Sequence, residues 1–267
     1  MITYTKYLLF ISLLLLLIGC GSDDTTGPDV GKAPELPTVL NSQAQPDVSF
    51  FQENQPQNSA ITASETTNYS TAQALATSGI GLFGVGQIYS GFVTPAQQAD
   101  PDFQDGRWAW EYSYTFEGQT AELRLTAEEV TGGFDWEMFI SFDDGQGTAI
   151  EDYKVLEGTT NESGSEGTWI FNALDIESNQ ETKAFTSSWT VTDDSQKNSA
   201  FEAFDENGSV VATGLYNQDT PEYTLSLTFS DSDDLSIFWN TETNEGYIQE
   251  GTLTQCWDEQ FQNVDCS

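Results

Sequence analysis

The sequence contains no histidine. Imidazole is the side chain that most often transfers protons near neutral pH, and it is the usual partner of a serine or cysteine nucleophile. Its absence excludes Ser-His-Asp and Cys-His catalysis and the common catalytic zinc sites. Hydrolysis by two carboxylates, as in glycosidases, stays open, although the 43 acidic residues offer no pair that the sequence singles out.

Basic residues are almost as scarce. Seven Lys and Arg face 43 Asp and Glu, and the formal net charge at pH 7 is −36. Nucleic-acid binding needs cations that neutralise phosphates, and docking to anionic lipid needs basic clusters, so both partners are excluded. Two interpretations of the acidity remain. Scattered carboxylates favour a solvated, self-repelling surface, and the alternative is the binding of cations.

Cysteine occurs only three times, and the first instance carries the most specific signal in the chain. An apolar run over residues 8–18 follows Lys6 and is shorter than the roughly 20 residues of a membrane-spanning helix. It ends in Leu17-Ile18-Gly19-Cys20, which resembles the lipobox of bacterial lipoproteins. The alternative is an ordinary signal sequence or an uncleaved signal anchor, in which the cysteine occurs by chance.

The resemblance to the lipobox implies where in the cell the protein is located. Residues 1–19 are expected to be removed as a signal peptide, and Cys20 is expected to carry diacylglycerol and a further acyl chain. One acyl chain binds a membrane only marginally, so multiple acylation is what provides a stable anchor. We expect the protein at the bacterial outer membrane, on its periplasmic side or on the cell surface. Asp23 and Asp24 resemble an acidic surface-export signal of Bacteroidota lipoproteins.

The other two cysteines, Cys256 and Cys266, lie at the C-terminus. In an oxidising compartment we expect them to form a disulfide. The loop that they close is short, so the bond stabilises the fold by no more than about 3 kcal/mol. This pair is interpreted as a clip for the chain end, because a redox site would more usually show Cys-x-x-Cys.

Residues 20–60 are predicted to be a flexible tether that follows the lipidated cysteine. The segment is acidic, rich in proline and poor in apolar residues, so it cannot bury enough surface to offset its conformational entropy. A single β-rich domain is predicted over residues 61–267. Its first element is a helix over residues 68–93, where apolar residues recur at three- and four-residue steps. Glycines along this stripe indicate a close approach to the sheet.

From Arg107 onward, apolar and polar residues alternate, as is typical of strands with one buried face. Turn pairs such as Asn207-Gly208 separate the segments. The predicted strands cover residues 107–117, 119–129, 134–142, 148–157, 166–174, 183–193, 199–206, 209–217, 223–229, 235–241 and 247–254. The sequence therefore predicts a mostly β fold, an antiparallel meander of about eleven strands that forms a barrel or half-barrel with one N-terminal helix packed on it. A β-sandwich is the alternative.

The aromatic residues of the strands are the main candidates for a ligand site. Those at predicted core-facing positions are Trp108, Trp110, Tyr112, Tyr114, Trp136, Trp169, Trp189, Tyr223 and Trp239. They either fill the core or line a cavity for an apolar or lipid-like ligand. In strand count and helix packing the predicted architecture is broadly similar to that of periplasmic lipoprotein carriers of the LolA/LolB type. That similarity concerns architecture alone.

A candidate calcium loop begins at Asp100, with further carboxylates at Asp102, Asp105 and Glu111. The spacing resembles an EF-hand loop that is out of register, because Asp105 stands where glycine is due. We expect the protein to be a membrane-anchored, non-catalytic binding module for an apolar or lipid-like ligand. A structural or adhesion lipoprotein is the alternative, and a carboxylate-based hydrolase is the third hypothesis.

Overall fold

The computed structural model describes residues 31–36, 45–54, 67–83, 94–116, 119–143, 149–173 and 181–266. Residues Ala33–Ser267 form one compact unit. The predicted signal peptide, Cys20 and the Asp23-Asp24 pair lie outside the described residues.

Fourteen strands make up one antiparallel sheet, in which each strand pairs with the next one along the chain. The strands are β1 (Asp102–Gln104), β2 (Arg107–Phe116), β3 (Gln119–Val130), β4 (Gly133–Asp143), β5 (Ala149–Asn161), β6 (Glu166–Ala173), β7 (Thr182–Asp193), β8 (Gln196–Phe204), β9 (Val210–Asp219), β10 (Glu222–Phe229), β11 (Leu235–Asn240), β12 (Gly246–Glu250), β13 (Leu253–Trp257) and β14 (Asn263–Val264). The predicted mostly β meander is confirmed. The sheet is not closed into a barrel, because β1 and β14 stand at its two ends and do not pair with each other.

The sheet has three more strands than the sequence predicts. β1 and β14 contain three and two residues, too few to show an alternating pattern. The predicted strand over residues 247–254 is divided by a turn at Gly251, whose φ of 55° is left-handed, and the chain continues as β13. The difference therefore lies in short elements at the two ends of the sheet.

Among the described residues, two α-helices precede the sheet, α1 (Ser49–Glu53) and α2 (Asn68–Phe83), and a 3-10 helix covers Thr94–Gln98. α2 begins where the sequence predicts; residues 84–93 of the predicted helix lie outside the described residues. It packs on the sheet through Gly79, where a Cβ would lie 3.1 Å from Leu225 Cδ2. The small residue permits the close approach that the sequence indicated.

The folded unit begins earlier than predicted. Residues 45–54, which we assigned to the flexible tether, contribute Val48, Phe50 and Phe51 to the core. The Phe51 ring lies 5.1 Å from that of Trp239, and the backbone N–H of Asp47 donates to the Tyr216 hydroxyl at 3.1 Å. The average composition of this segment is polar, and for that reason composition predicts a tether. Two adjacent phenylalanines nevertheless bury enough apolar surface to hold a short segment on the sheet.

The C-terminal clip is formed. Cys256 and Cys266 are joined as a disulfide with a Cα–Cα distance of 5.3 Å. The loop between them carries Phe261, whose ring lies 4.4 Å from that of Tyr69 on α2. Asn263 accepts a hydrogen bond from the backbone N–H of Asn68 at 2.7 Å. The clip therefore holds the chain end against the start of the helix.

Glycines in the strands lie directly opposite aromatic residues of the neighbouring strand. Gly158 pairs with Trp169, Gly167 with Trp189, and Gly246 with Trp257. A Cβ at each glycine would overlap the partner's ring. The indole occupies the space that a side chain would fill, a pairing known to stabilise glycines in designed sheets.

This packing predicts that substitution by alanine has opposite effects on stability at two glycines. Gly158→Ala should destabilise the fold by about 1–3 kcal/mol, because the new methyl overlaps the Thr168 carbonyl oxygen and the Trp169 ring. Gly81→Ala should stabilise it by up to about 1 kcal/mol, because the methyl added to this helical glycine would lie within 4 Å of no described atom beyond its chain neighbours and its own helix backbone. Urea unfolding of both variants checks this, and equal effects would contradict the pairing.

Candidate functional site

The structure divides the nine predicted aromatic residues by exposure. Six are buried: Trp110, Trp136, Trp169, Trp189, Tyr223 and Trp239. Trp108 and Tyr112 are half-buried, and Tyr114 is 37% exposed. The buried six share one face of the sheet, called here the inner face, on which α1 and α2 also pack.

The buried rings form three separate pairs on the inner face. The Trp110 and Trp136 rings stack at 6.0 Å between centroids, Trp169 and Trp189 at 6.1 Å, and Tyr223 and Trp239 at 5.3 Å. None of these side chains is more than 8% exposed. A cavity of several hundred Å³ would leave part of its lining rings accessible to water. The burial therefore favours a filled core over a ligand cavity at these residues.

Two of the buried indole N–H groups have no hydrogen-bond acceptor among the described residues. Trp136 Nε1 donates to the Thr160 hydroxyl at 3.0 Å, and Trp189 Nε1 donates to the Gly164 carbonyl at 3.0 Å. Trp169 and Trp239 have no acceptor for Nε1 within the part of the chain that the structure describes. Such a donor costs about 1–3 kcal/mol when it stays unpaired. These two N–H groups are the feature of the inner face that could bind a polar atom.

A polar cluster lies where residues 45–54 dock on the sheet. The Tyr216 hydroxyl donates to Gln218 Oε1 at 3.0 Å, and Lys197 Nζ donates to the Gln45 carbonyl at 3.2 Å. Burial raises the pKa of Tyr216. Burial also lowers the pKa of Lys197, and the negative charge of the nearby Asp47 partly offsets that decrease. The Tyr216 hydroxyl and Lys197 Nζ both hydrogen-bond directly to residues 45–54. We therefore interpret them as groups that hold this segment on the sheet rather than as a reactive centre.

The candidate calcium residues lie around a tight hairpin. Asp102 is in β1, Asp105 occupies the turn with a left-handed φ of 52°, and Glu111 lies within β2. Among the residues that the structure describes, no three Asp, Glu, Cys or His side chains are grouped closely enough to hold a metal ion. The carboxylates of this loop are thus spread along a hairpin.

A groove of about 500 Å³ crosses strands β4 to β9. Most of the side chains that line it lie on the face opposite the buried aromatics, called here the outer face, and the lining also includes Trp189 and Ser199 from inner-face positions. Strand register arranges its side chains in two parallel rows. The first row runs through Asp135, Thr159, Thr168, Ser188, Ala200 and Leu215, and the second through Glu166, Thr190, Asn198 and Asn217. The rows are two residues apart along each strand, or about 6.6 Å. We call these ten residues the outer groove.

The outer groove has free hydrogen-bonding capacity. Ser188, Thr190, Asn198 and Asn217 are exposed, and their side chains form no hydrogen bond with other described residues. Among the described residues that line the groove, Asp135 and Glu166 are the ionisable ones and none is Lys or Arg. Leu215 is 53% exposed and gives one end an apolar surface. The site can therefore bind a polar ligand that is not anionic.

An ion-pair network borders this groove. Arg107 contacts Glu128 at 2.7 Å and Glu137 at 2.9 Å, while Lys154 contacts Glu157 at 2.6 Å and Glu137 at 3.4 Å. The hydrogen bond to Glu157 is the main cause of a raised pKa of Lys154. Partly exposed pairs contribute only about 0–1 kcal/mol each. The network therefore fixes side chains more than it stabilises the fold.

A second groove of about 310 Å³ lies over this network and shares lining residues with the first. The shared residues are Asp135, Thr159 and Thr168. The Thr159 and Thr168 hydroxyls are 3.1 Å apart and hydrogen-bonded. The outer face thus offers one continuous depression, polar and uncharged over β7 to β9 and charged over β2 to β5.

Sequence reasoning missed the outer groove because its rows depend on strand register. A signal was nevertheless present. Residues 167–174, 184–192 and 207–218 contain no Asp, Glu, Lys or Arg, in a chain of which 19% is charged. On a strongly acidic surface, charge-free strands with exposed Thr, Ser and Asn are unusual, and these three stretches cover most of β6, β7 and β9.

Comparison with protein-family models, with curated proteins and with solved structures finds no match to this chain. None of these comparisons supports the predicted similarity to carriers of the LolA/LolB type, which stays a prediction. No helix among the described residues is long and apolar enough to cross a membrane.

A filled inner face predicts that Trp136→Ala costs about 3–5 kcal/mol of unfolding free energy. Trp108→Ala, at a half-buried position two strands away, should cost less. The unaltered protein should show no saturable binding of Nile red, a neutral apolar dye. Urea unfolding and dye titration are the measurements. Saturable dye binding that Trp136→Ala abolishes in a folded variant would instead establish an apolar cavity.

Proposed function

We propose that the protein is a lipid-anchored extracytoplasmic binding protein without a catalytic role, and that it takes its ligand in the outer groove. The observation that carries the proposal is a concavity of about 500 Å³ that contains four exposed hydroxyl and amide side chains with no hydrogen bond to other described residues: Ser188, Thr190, Asn198 and Asn217. The lipobox at Cys20 supplies the expected anchor at the outer membrane. The burial of the inner aromatics supports placing the ligand on the outer face.

The carboxylates near the groove do not support a hydrolase. Glu128, Glu137 and Glu157 are engaged by Arg107 and Lys154. The two acids of the outer groove lie two strands and two residues apart, which strand spacing puts at roughly 12 Å. The carboxylates of glycosidases are separated by about 5–10 Å. A binding role therefore fits the arrangement better than hydrolysis.

An apolar or lipid-like ligand on the inner face is a second candidate function. The observation in its favour is the pair of unsatisfied indole N–H groups of Trp169 and Trp239. A ligand carbonyl or hydroxyl beside either group would recover the missing hydrogen bond. The stacked, buried rings around them weigh against it, because the ligand would have to displace packed side chains.

The anchor is tested by Cys20→Ser. Without the thiol there is no site for diacylglycerol, so the variant should stay as an uncut precursor or leave the membrane fraction. Membrane fractionation and electrophoretic mobility measure this. The matched control is the double variant Cys256→Ser, Cys266→Ser, which loses the clip and should remain anchored. Unchanged mobility and membrane retention of the Cys20 variant would contradict lipidation.

A further inference from the structure

We infer that the ligand of the outer groove is an uncharged glycan chain, an inference that rests on the proposed binding function. The ten side chains of the groove are dominated by hydroxyls and amides. Both group types donate and accept hydrogen bonds, which matches the hydroxyls of a sugar. A glycan also presents apolar ring faces, for which Ala200 and Leu215 offer a surface.

The length of the groove points to a chain rather than a single sugar. Its first row crosses six strands, from Asp135 on β4 to Leu215 on β9. At about 4.8 Å between strands the row spans roughly 24 Å. A monosaccharide would occupy only a fraction of that distance. An extended oligosaccharide can contact most of the row at once.

Charge decides against the other ligand classes. An anionic ligand would find no Lys or Arg among the described lining residues and would approach a chain of net charge −36. For a cationic ligand, the carboxylates of the described lining are Asp135 and Glu166, towards the β4 to β6 end. The part of the groove over β7 to β9, at Thr190, Asn198 and Asn217, holds neutral groups that form no hydrogen bond with other described residues. Neutral hydroxyls are the ligand groups that suit this part of the groove.

The test uses the full mature protein in detergent with a fluorophore at Thr131→Cys, a turn residue at the end of the groove. Cys256 and Cys266 are bonded to each other, so the new thiol is the one to be labelled, with Cys20 acylated. The probes are neutral hexasaccharides of glucose, mannose, xylose and N-acetylglucosamine. Hexaglucosamine and hexalysine are the cationic probes, and hexagalacturonate is the anionic one. A label at Thr228→Cys, on the outer face beyond the groove, is the control.

At least one neutral hexasaccharide should give a saturable signal at position 131 and none at position 228. Ser188→Tyr should weaken binding at least tenfold by obstructing the first row. Ser236→Tyr makes the same change on β11, outside the groove, and should alter affinity less than twofold. Asn217→Ala should weaken binding about fivefold, the effect of one net hydrogen bond.

The outcomes separate this inference from the proposed function. A saturable response to a charged probe alone, sensitive to Ser188→Tyr, overturns the neutral glycan and leaves the groove as a binding site. The absence of a response to every probe overturns both the glycan and the outer groove as the site. A sugar response that Ser188→Tyr leaves unchanged also overturns the assignment of the groove.

Discussion

The pairing of strand glycines with aromatic rings across the sheet is the interaction on which the rest of the structure depends. Each indole lies over the glycine opposite, as Trp169 does over Gly158 and Trp189 over Gly167. Rings placed this way contact neighbouring rings and, together with buried aliphatic side chains such as Leu125, Leu156 and Leu225, fill the inner face. Because that face is occupied by the protein's own aromatics, the outer face is the one that offers space to a ligand.

Much of the fold could be predicted from local pattern. Alternation predicts the long strands, and the periodic stripe after Asn68 predicts the helix. Sequence patterns did not predict the features that depend on contacts between residues far apart in the chain. The docking of Phe50 and Phe51 depends on the sheet that receives them, and average composition hid it. The outer groove depends on register between strands, which sets Thr190 opposite Asn198 and is not visible within either strand.

Charge links the surface of the protein to its proposed role. The protein carries a formal net charge of −36 at pH 7, and a field of that sign repels anions and other copies of the chain. Against that background, the uncharged part of the outer groove over β7 to β9, which includes Ser188, Asn198 and Asn217, is where the proposed neutral chain would meet no charge that must be desolvated. The neighbouring network of Arg107 and Lys154 uses two of the few cations to fix the adjoining strands. The charged network and the uncharged part of the proposed binding groove thus lie in different parts of the outer face.

Diffraction from crystals pressurised with xenon tests most directly whether the inner aromatic face is filled and the ligand site lies outside it, because xenon occupies dry apolar cavities. We predict no ordered xenon among the rings of Trp110, Trp136, Trp169 and Trp189. Xenon density between these rings would show an internal apolar cavity, and the ligand would then belong on the inner face.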